Sequence, residues 1–109
     1  MRYIKIAETG ELGVGEKKLI TLEDKAILLA NIDNKFYAID NKCTHMGGSL
    51  FLGKLDGIKV VCPRHGSVFD ITNGKFIGEG KLAFIKVKAH DLQSYPVRVE
   101  GNDLLIEIE

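Results

Sequence analysis

Apolar positions in this 109-residue chain fall in short runs, not in long helical stripes. Ala26 to Ile32 and Lys35 to Ile39 flank Asp33-Asn34, which predicts two strands joined by a two-residue turn. Near the C-terminus Tyr95, Val97 and Val99 alternate with Pro96, Arg98 and Glu100. After a turn at Gly101-Asn102-Asp103, Leu104, Ile106 and Ile108 alternate with Leu105, Glu107 and Glu109. Period two on both arms predicts a second hairpin with one face on the core. Phe84, Lys86 and Lys88 alternating with Ile85, Val87 and Ala89 predict a further strand. Val60-Val61 reads as a strand delivering Cys62, and Phe69-Asp70 as the start of one leaving.

Helical signals are weak. Thr21-Leu22-Glu23-Asp24 reads as a turn opening, but no amphipathic run of about eleven residues follows it. Twelve glycines, many between short apolar stretches, predict many tight turns. The expected fold is all-β, a small antiparallel sandwich or barrel, in one domain spanning 1–109. Its base is roughly 1–40 and 80–109. Roughly 41–79, dense in Gly, Cys and His, reads as a sub-domain inserted into that framework.

Charge narrows the function classes. Lys plus Arg equals Asp plus Glu at 15 each, so nothing suggests binding to a phosphate backbone or an anionic membrane surface. No apolar run follows Met1-Arg2-Tyr3, and the longest apolar stretch, Ala26–Ala30, is far below the roughly 20 residues of a membrane helix. The expected location is the cytoplasm, without a membrane anchor. In a reducing compartment a Cys43–Cys62 disulfide is a poor expectation, and two cysteines each placed beside a histidine read as ligands.

The ligand candidates form two motifs, Cys43-Thr44-His45 and Cys62-Pro63-Arg64-His65, separated by the sixteen residues 46–61. Each supplies one thiolate and one imidazole. Gly47, Gly48 and Gly66 leave room for backbone N–H groups to approach an anionic centre without a Cβ in the way. Pro63 stiffens the second loop. Mixed ligation, with two His replacing two Cys on one of two irons, is the donor set of a Rieske centre.

On these residues the chain resembles the Rieske proteins, whose pattern is C-x-H followed after a spacer by C-x-x-H. The likeness extends to Phe36-Tyr37-Ala38-Ile39, Leu50, Gly53, Leu55, Cys62 through Asp70, Gly74-Lys75 and Tyr95-Pro96-Val97-Arg98-Val99. It is most similar to the soluble ferredoxins of bacterial ring-hydroxylating dioxygenases and related archaeal carriers. The resemblance implies one [2Fe–2S] cluster, with Cys43 and Cys62 on one iron and His45 and His65 on the other. It also implies a monomeric one-electron carrier with no catalytic residues of its own. A reductase would be the donor, and an oxygenase or other oxidoreductase the acceptor. Where the membrane-anchored branch has an extra cysteine in each loop, this chain has Gly48 and Arg64.

The resemblance assigns Ser67 a hydrogen bond to cluster sulfur, while Phe69 stands where the high-potential branch has a tyrosine. Fewer such donors stabilise the reduced cluster less, so the expected potential is in the lower part of about −150 to +300 mV. Histidine ligands exposed at the tip imply a potential that falls with rising pH. Gly78-Glu79-Gly80-Lys81 replaces a proline in the family's third loop, and extra residues follow. Met46, Leu50 and Pro63 are the candidate apolar docking tip. His90, beside Asp91, reads as a surface residue, and Lys17-Lys18 and Glu23-Asp24 as solvated faces. Two other readings stay open. One is a tightly bound electron-transfer subunit of a larger oxidoreductase. The other is a zinc-binding interaction module on the same Cys₂His₂ set, although one residue between Cys43 and His45 is tight for two ligands of one ion.

Overall fold

Strand β3 (Lys25–Ile32) explains the layout, because its apolar run is continuous and not alternating. Ile27, Leu28, Leu29 and Ala30 are all fully buried. Ile27 and Leu29 belong to one hydrophobic cluster, and Leu28 and Ala30 to another. A strand covered on both faces needs apolar residues at every position. The chain therefore folds in three layers with β3 in the middle.

In a computed structural model, the structure describes residues 2–42, 48–63, 66–78 and 90–108. The central sheet has the order β2-β3-β4-β9, with β2 at Lys17–Leu22, β4 at Lys35–Asp40 and β9 at Ser94–Tyr95. One outer sheet is β1-β11-β10, with β1 at Arg2–Glu8, β10 at Val97–Glu100 and β11 at Asp103–Ile108. Its Leu104, Ile106 and Ile108 pack with Ile27, Leu29 and Ala38. The other outer sheet is β5-β6-β7-β8, formed by Lys54–Asp56, Lys59–Val61, Val68–Asp70 and Phe76–Gly78. Val60, Phe69 and Ile71 from this part of the chain pack with Leu28, Ala30 and Ile39. All strand pairs within the three sheets are antiparallel.

Both anticipated hairpins form, except that Tyr95 leaves the first arm of the second one and pairs with Ala38 in the central sheet. Ile32 pairs with Lys35 across Asp33-Asn34, whose φ values of 53° and 68° are those of a type I′ turn. Glu100 pairs with Asp103, so the C-terminal turn is the two residues Gly101-Asn102, one shorter than expected, with Gly101 at φ 62°. The strands around Val60-Val61 and Phe69-Asp70 are β6 and β7.

Three expectations change. Thr21-Leu22 ends strand β2, and Glu23-Asp24 is the tight turn pairing Leu22 with Lys25. Val99 shares a row with buried Leu104 yet is 51% exposed, because among the described residues β10 is an edge strand. Strands β1, β2, β5 and β8 were not anticipated; a register shift between Lys5 and Ala7 breaks the alternation of β1. The expected strand at Phe84–Ala89 lies outside the described residues.

Candidate metal centre

Both Cys–His motifs belong to connections that the structure ties at the base. Strand β6 ends at Val61 and hands the chain to Cys62. The Cys62 N–H donates to the Ser67 carbonyl at 2.8 Å, and the Gly66 N–H donates back to the Cys62 carbonyl at 3.0 Å. Gly66 has φ 75°, a conformation glycine adopts without a steric penalty. A short loop between β6 and β7 thus carries Cys62, Pro63 and, in sequence, His65. Cys62 and Ser67 are each 1% exposed, whereas Pro63 is exposed.

The first motif follows β4 and is closed chiefly by one side chain. Lys42 bridges Ser49 in antiparallel fashion, and the chain between them carries Cys43 and His45. Asn41, 5% exposed, donates from Nδ2 to Ser49 Oγ at 2.8 Å and accepts the Phe51 N–H on Oδ1 at 2.8 Å. Its carbonyl accepts the Leu50 N–H, and its own N–H donates to Ala26 of β3, both at 2.9 Å. Each polar group of Asn41 is therefore engaged, fastening the start and end of this loop to each other and to the central sheet. Gly48 is buried at its end.

The two loop bases touch. Gly53, just past the 3-10 turn Leu50–Leu52, lies so close to β6 that a Cβ on it would sit 1.9 Å from the Val61 carbonyl oxygen. With Lys54 paired to Val61, the next position in register sets Gly53 opposite Cys62. Cys62, Leu50, Leu28, Ala30 and Ile39 share one apolar cluster, so the thiol-bearing residue is rooted against the back of the central sheet.

The central sheet also holds the connection ahead of β9. Leu92 donates to the Gly74 carbonyl at 2.7 Å, Phe76 N–H donates to Asp91 Oδ1 at 2.9 Å, and Asp40 N–H donates to the Gln93 carbonyl at 2.9 Å. The Tyr95 hydroxyl donates to Asp40 Oδ1 at 2.6 Å. Burial, then the Asp40 carboxylate, pushes the Tyr95 phenol well above its ordinary pKa. The stem leading to Cys43 is thereby held from β3 on one side and from β9 on the other.

Of the expected site residues, Cys62, Gly48, Gly66, Ser67, Leu50 and Pro63 are described. Cys43, His45, His65, Met46 and Gly47 lie outside the described residues, as do Glu79, Gly80 and Lys81. Leu50 is a correction. It is 0% exposed in the core and cannot belong to an exposed tip; Leu52, 73% exposed, occupies the outward position two residues on. Phe69 is fully buried, its ring edge-to-face on Phe76 at 5.7 Å, and brings no hydroxyl. His90 is exposed. Sequence reasoning missed Asn41, because a single Asn before a loop carries no signal of where both amide groups will be spent.

The donor set suits an iron–sulfur centre better than an isolated ion. The bases of two loops, each carrying one thiolate and one imidazole in sequence, meet where Gly53 leaves no room for a side chain. Cys62 is buried among aliphatic side chains and Pro63 is at the surface. That gradient fits a cluster held by sulfur on its inner side and reached from outside.

Comparison with known proteins agrees with this geometry. The family model described as "Rieske [2Fe-2S] domain" matches residues 2–96. The ferredoxin component of the naphthalene 1,2-dioxygenase system of Pseudomonas aeruginosa is 28% identical over 107 residues, covering 98% of this chain and 96% of its own. The biphenyl dioxygenase ferredoxin subunit of Pseudomonas sp. (strain KKS102) is 31% identical over 108 residues, covering 98% and 93%. Among solved structures, the ferredoxin of Sphingomonas yanoikuyae B1 superposes with a TM-score of 0.83 at 28% identity, covering 99% of this chain and 100% of that one. Among the described residues no helix is long and apolar enough to cross a membrane.

Proposed function

Because the chain belongs to the Rieske [2Fe–2S] family, we propose that it is a one-electron carrier whose cluster is held by Cys43, His45, Cys62 and His65. The chain takes one Rieske-type cluster, which supplies a single reversible electron. The cysteines hold the inner iron and the histidines the outer one. A reductase donates to it, and a terminal oxygenase accepts from it, in line with the dioxygenase systems of its relatives. It acts in the cytoplasm and performs no substrate chemistry of its own.

The observation that carries this reading is the contact of the two tied loop bases at Gly53 and Val61. It packs the turn that follows the first motif against the strand that delivers Cys62, which supports shared ligation of a two-iron centre. Backbone N–H groups at Gly47 and Gly48 and the Ser67 hydroxyl shield charge on the sulfurs, whereas the Gly66 N–H is spent on the Cys62 carbonyl. Phe69 contributes no donor, which keeps the potential in the lower part of the Rieske range.

Iron and acid-labile sulfide analysis tests the assignment directly. Two irons and two sulfides per chain are expected, with a rhombic electron paramagnetic resonance signal on reduction. Cys62→Ser and His65→Ala should each abolish that signal. One zinc per chain and no labile sulfide would overturn the assignment and leave the zinc module.

A further inference from the structure

The chain is neutral overall, yet its charge is not evenly spread. The segment 41–79 has five basic residues and three acidic ones. The base, 1–40 and 80–109, has ten basic residues and twelve acidic ones. The cluster-bearing end is thus positive and the base negative.

How the basic side chains are used sharpens the contrast. All five ion pairs among the described residues lie in the base, where they engage Arg2, Lys5, Lys18 and Arg98. Lys17 and Lys25 lie over the rings of Phe51 and Tyr95 at 5.1 and 6.0 Å. Lys35 of the base has neither kind of partner among the described residues, and Lys42, Lys54, Lys59 and Lys75 form no ion pair there either.

Register separates these four. Asp56, Lys59 and Asp70 lie opposite one another in the row of the outer sheet furthest from Cys62, and compensate locally. Lys54 is in the row next to Cys62, opposite Val61, and Lys42 bridges Ser49 at the foot of the first motif. Both are exposed, as are Pro63 and Leu52; no described acid lies in the row of Lys54, while Lys42 and Lys25 line one hollow with Asp24 and Asp40, the latter already accepting the Tyr95 hydroxyl.

We propose that Lys42 and Lys54, flanking the apolar pair Leu52 and Pro63, dock the acidic surface of a redox partner protein. The inference rests on the cluster being held at this end. A uniformly neutral protein gains no steering from its net charge, but a polarised one is turned by its partner's field so that the positive end leads. Once seated, acidic side chains of the partner would pair with the two lysines around an apolar centre.

Stopped-flow oxidation of the dithionite-reduced holoprotein tests the polarity. One electron leaves the cluster and converts ferricyanide to ferrocyanide, or hexaammineruthenium(III) to its ruthenium(II) form. Between about 10 and 500 mM salt the Debye length falls from roughly 30 Å to a few ångströms. The ferricyanide rate should then fall several-fold and the ruthenium rate should rise. Lys42→Glu/Lys54→Glu should reverse both trends, whereas Lys35→Glu, an exposed change in the base, should leave them as they are.

A second arm uses a carboxymethyl resin as the acidic surface. Despite its neutrality the protein should be retained at low salt, with Lys42 and Lys54 protected from acetylation and Lys35 reactive. A salt-insensitive or inverted ferricyanide rate, or protection of Lys35 instead of the pair, overturns the proposal. Iron and sulfide are measured on the same sample. Their absence overturns the cluster reading and this proposal together; their presence with the wrong salt dependence overturns this one alone.

Discussion

Gly53→Ala isolates the contact between the two loop bases. Gly53 has φ −84° and ψ −175°, ordinary extended backbone that alanine adopts freely, so the substitution introduces no conformational strain. What it introduces is a methyl group 1.9 Å from the Val61 carbonyl oxygen and 3.2 Å from that of Leu50. A carbon and a carbonyl oxygen approach comfortably to about 3.3 Å. Strand β6 must therefore retreat by more than an ångström, or the 3-10 turn must unwind. Neither neighbour is a flexible side chain that can swing away. Overpacking of this kind costs about 1–3 kcal/mol, and the upper half of that range applies where backbone must move. For a domain of this size that lowers Tm by roughly 5–20 °C. Because the retreating strand carries Cys62, the cluster should also be lost faster to a chelator. The assay is a thermal melt by circular dichroism, with iron retention followed in excess bathophenanthroline. Gly10→Ala is the control, since a Cβ there meets nothing within 4 Å. If Gly53→Ala matches Gly10→Ala in Tm and in iron retention, the two loops do not depend on this contact and the reasoning fails.

Asn41→Ala removes the bond to Ser49 Oγ and strands the Phe51 N–H; a loss of about 1–3 kcal/mol is expected, with a shifted or broadened resonance spectrum in the molecules that keep iron. Ser49→Ala should cost less, and equal losses in the two variants would contradict Asn41 as the fastening residue. Tyr95→Phe deletes a 2.6 Å hydrogen bond to Asp40 and should cost about 1–2 kcal/mol at neutral pH. The Tyr95 phenol is raised in the folded state, so its stabilisation is present below the unfolded value near pH 10 and fades as pH climbs beyond it. The Tm gap between wild type and Tyr95→Phe should accordingly narrow above about pH 10, and a constant gap would refute the assignment. Glu23 sits at φ 56°, so Glu23→Gly should raise stability, and with it Tm, by up to about 1 kcal/mol of relieved strain less the entropy of the unfolded glycine. A lower Tm in that variant would show that the exposed 3.6 Å ion pair with Arg2 outweighs the strain.

Much of this molecule is written in local chemistry. Asp33-Asn34 announces its hairpin because two adjacent residues tolerant of positive φ sit between apolar runs. Leu104, Ile106 and Ile108 announce theirs by strict alternation over a single buried face. The candidate ligands are legible for a different reason: thiolate and imidazole at such short spacing have few other uses. Tertiary circumstance hides the rest. The apolar run at 27–30 predicts a strand but does not say that two separate layers cover it. Leu50 and Leu52 differ in sequence context by almost nothing, yet the phase of a three-residue 3-10 turn buries one and exposes the other. No local pattern declares that Gly53 will face the Val61 carbonyl, because that closeness exists only after β5 and β6 pair.

The doubly covered strand β3 also decides where the molecule opens last. Its amides are bonded to β2 and β4 along its length, and Ile27 to Ala30 have no exposed surface. Amide protons there can exchange with solvent only when the whole domain unfolds. The Ala26 carbonyl, which receives Asn41, belongs to the same strand. The foot of the first ligand loop is thus moored to the slowest-exchanging segment of the chain.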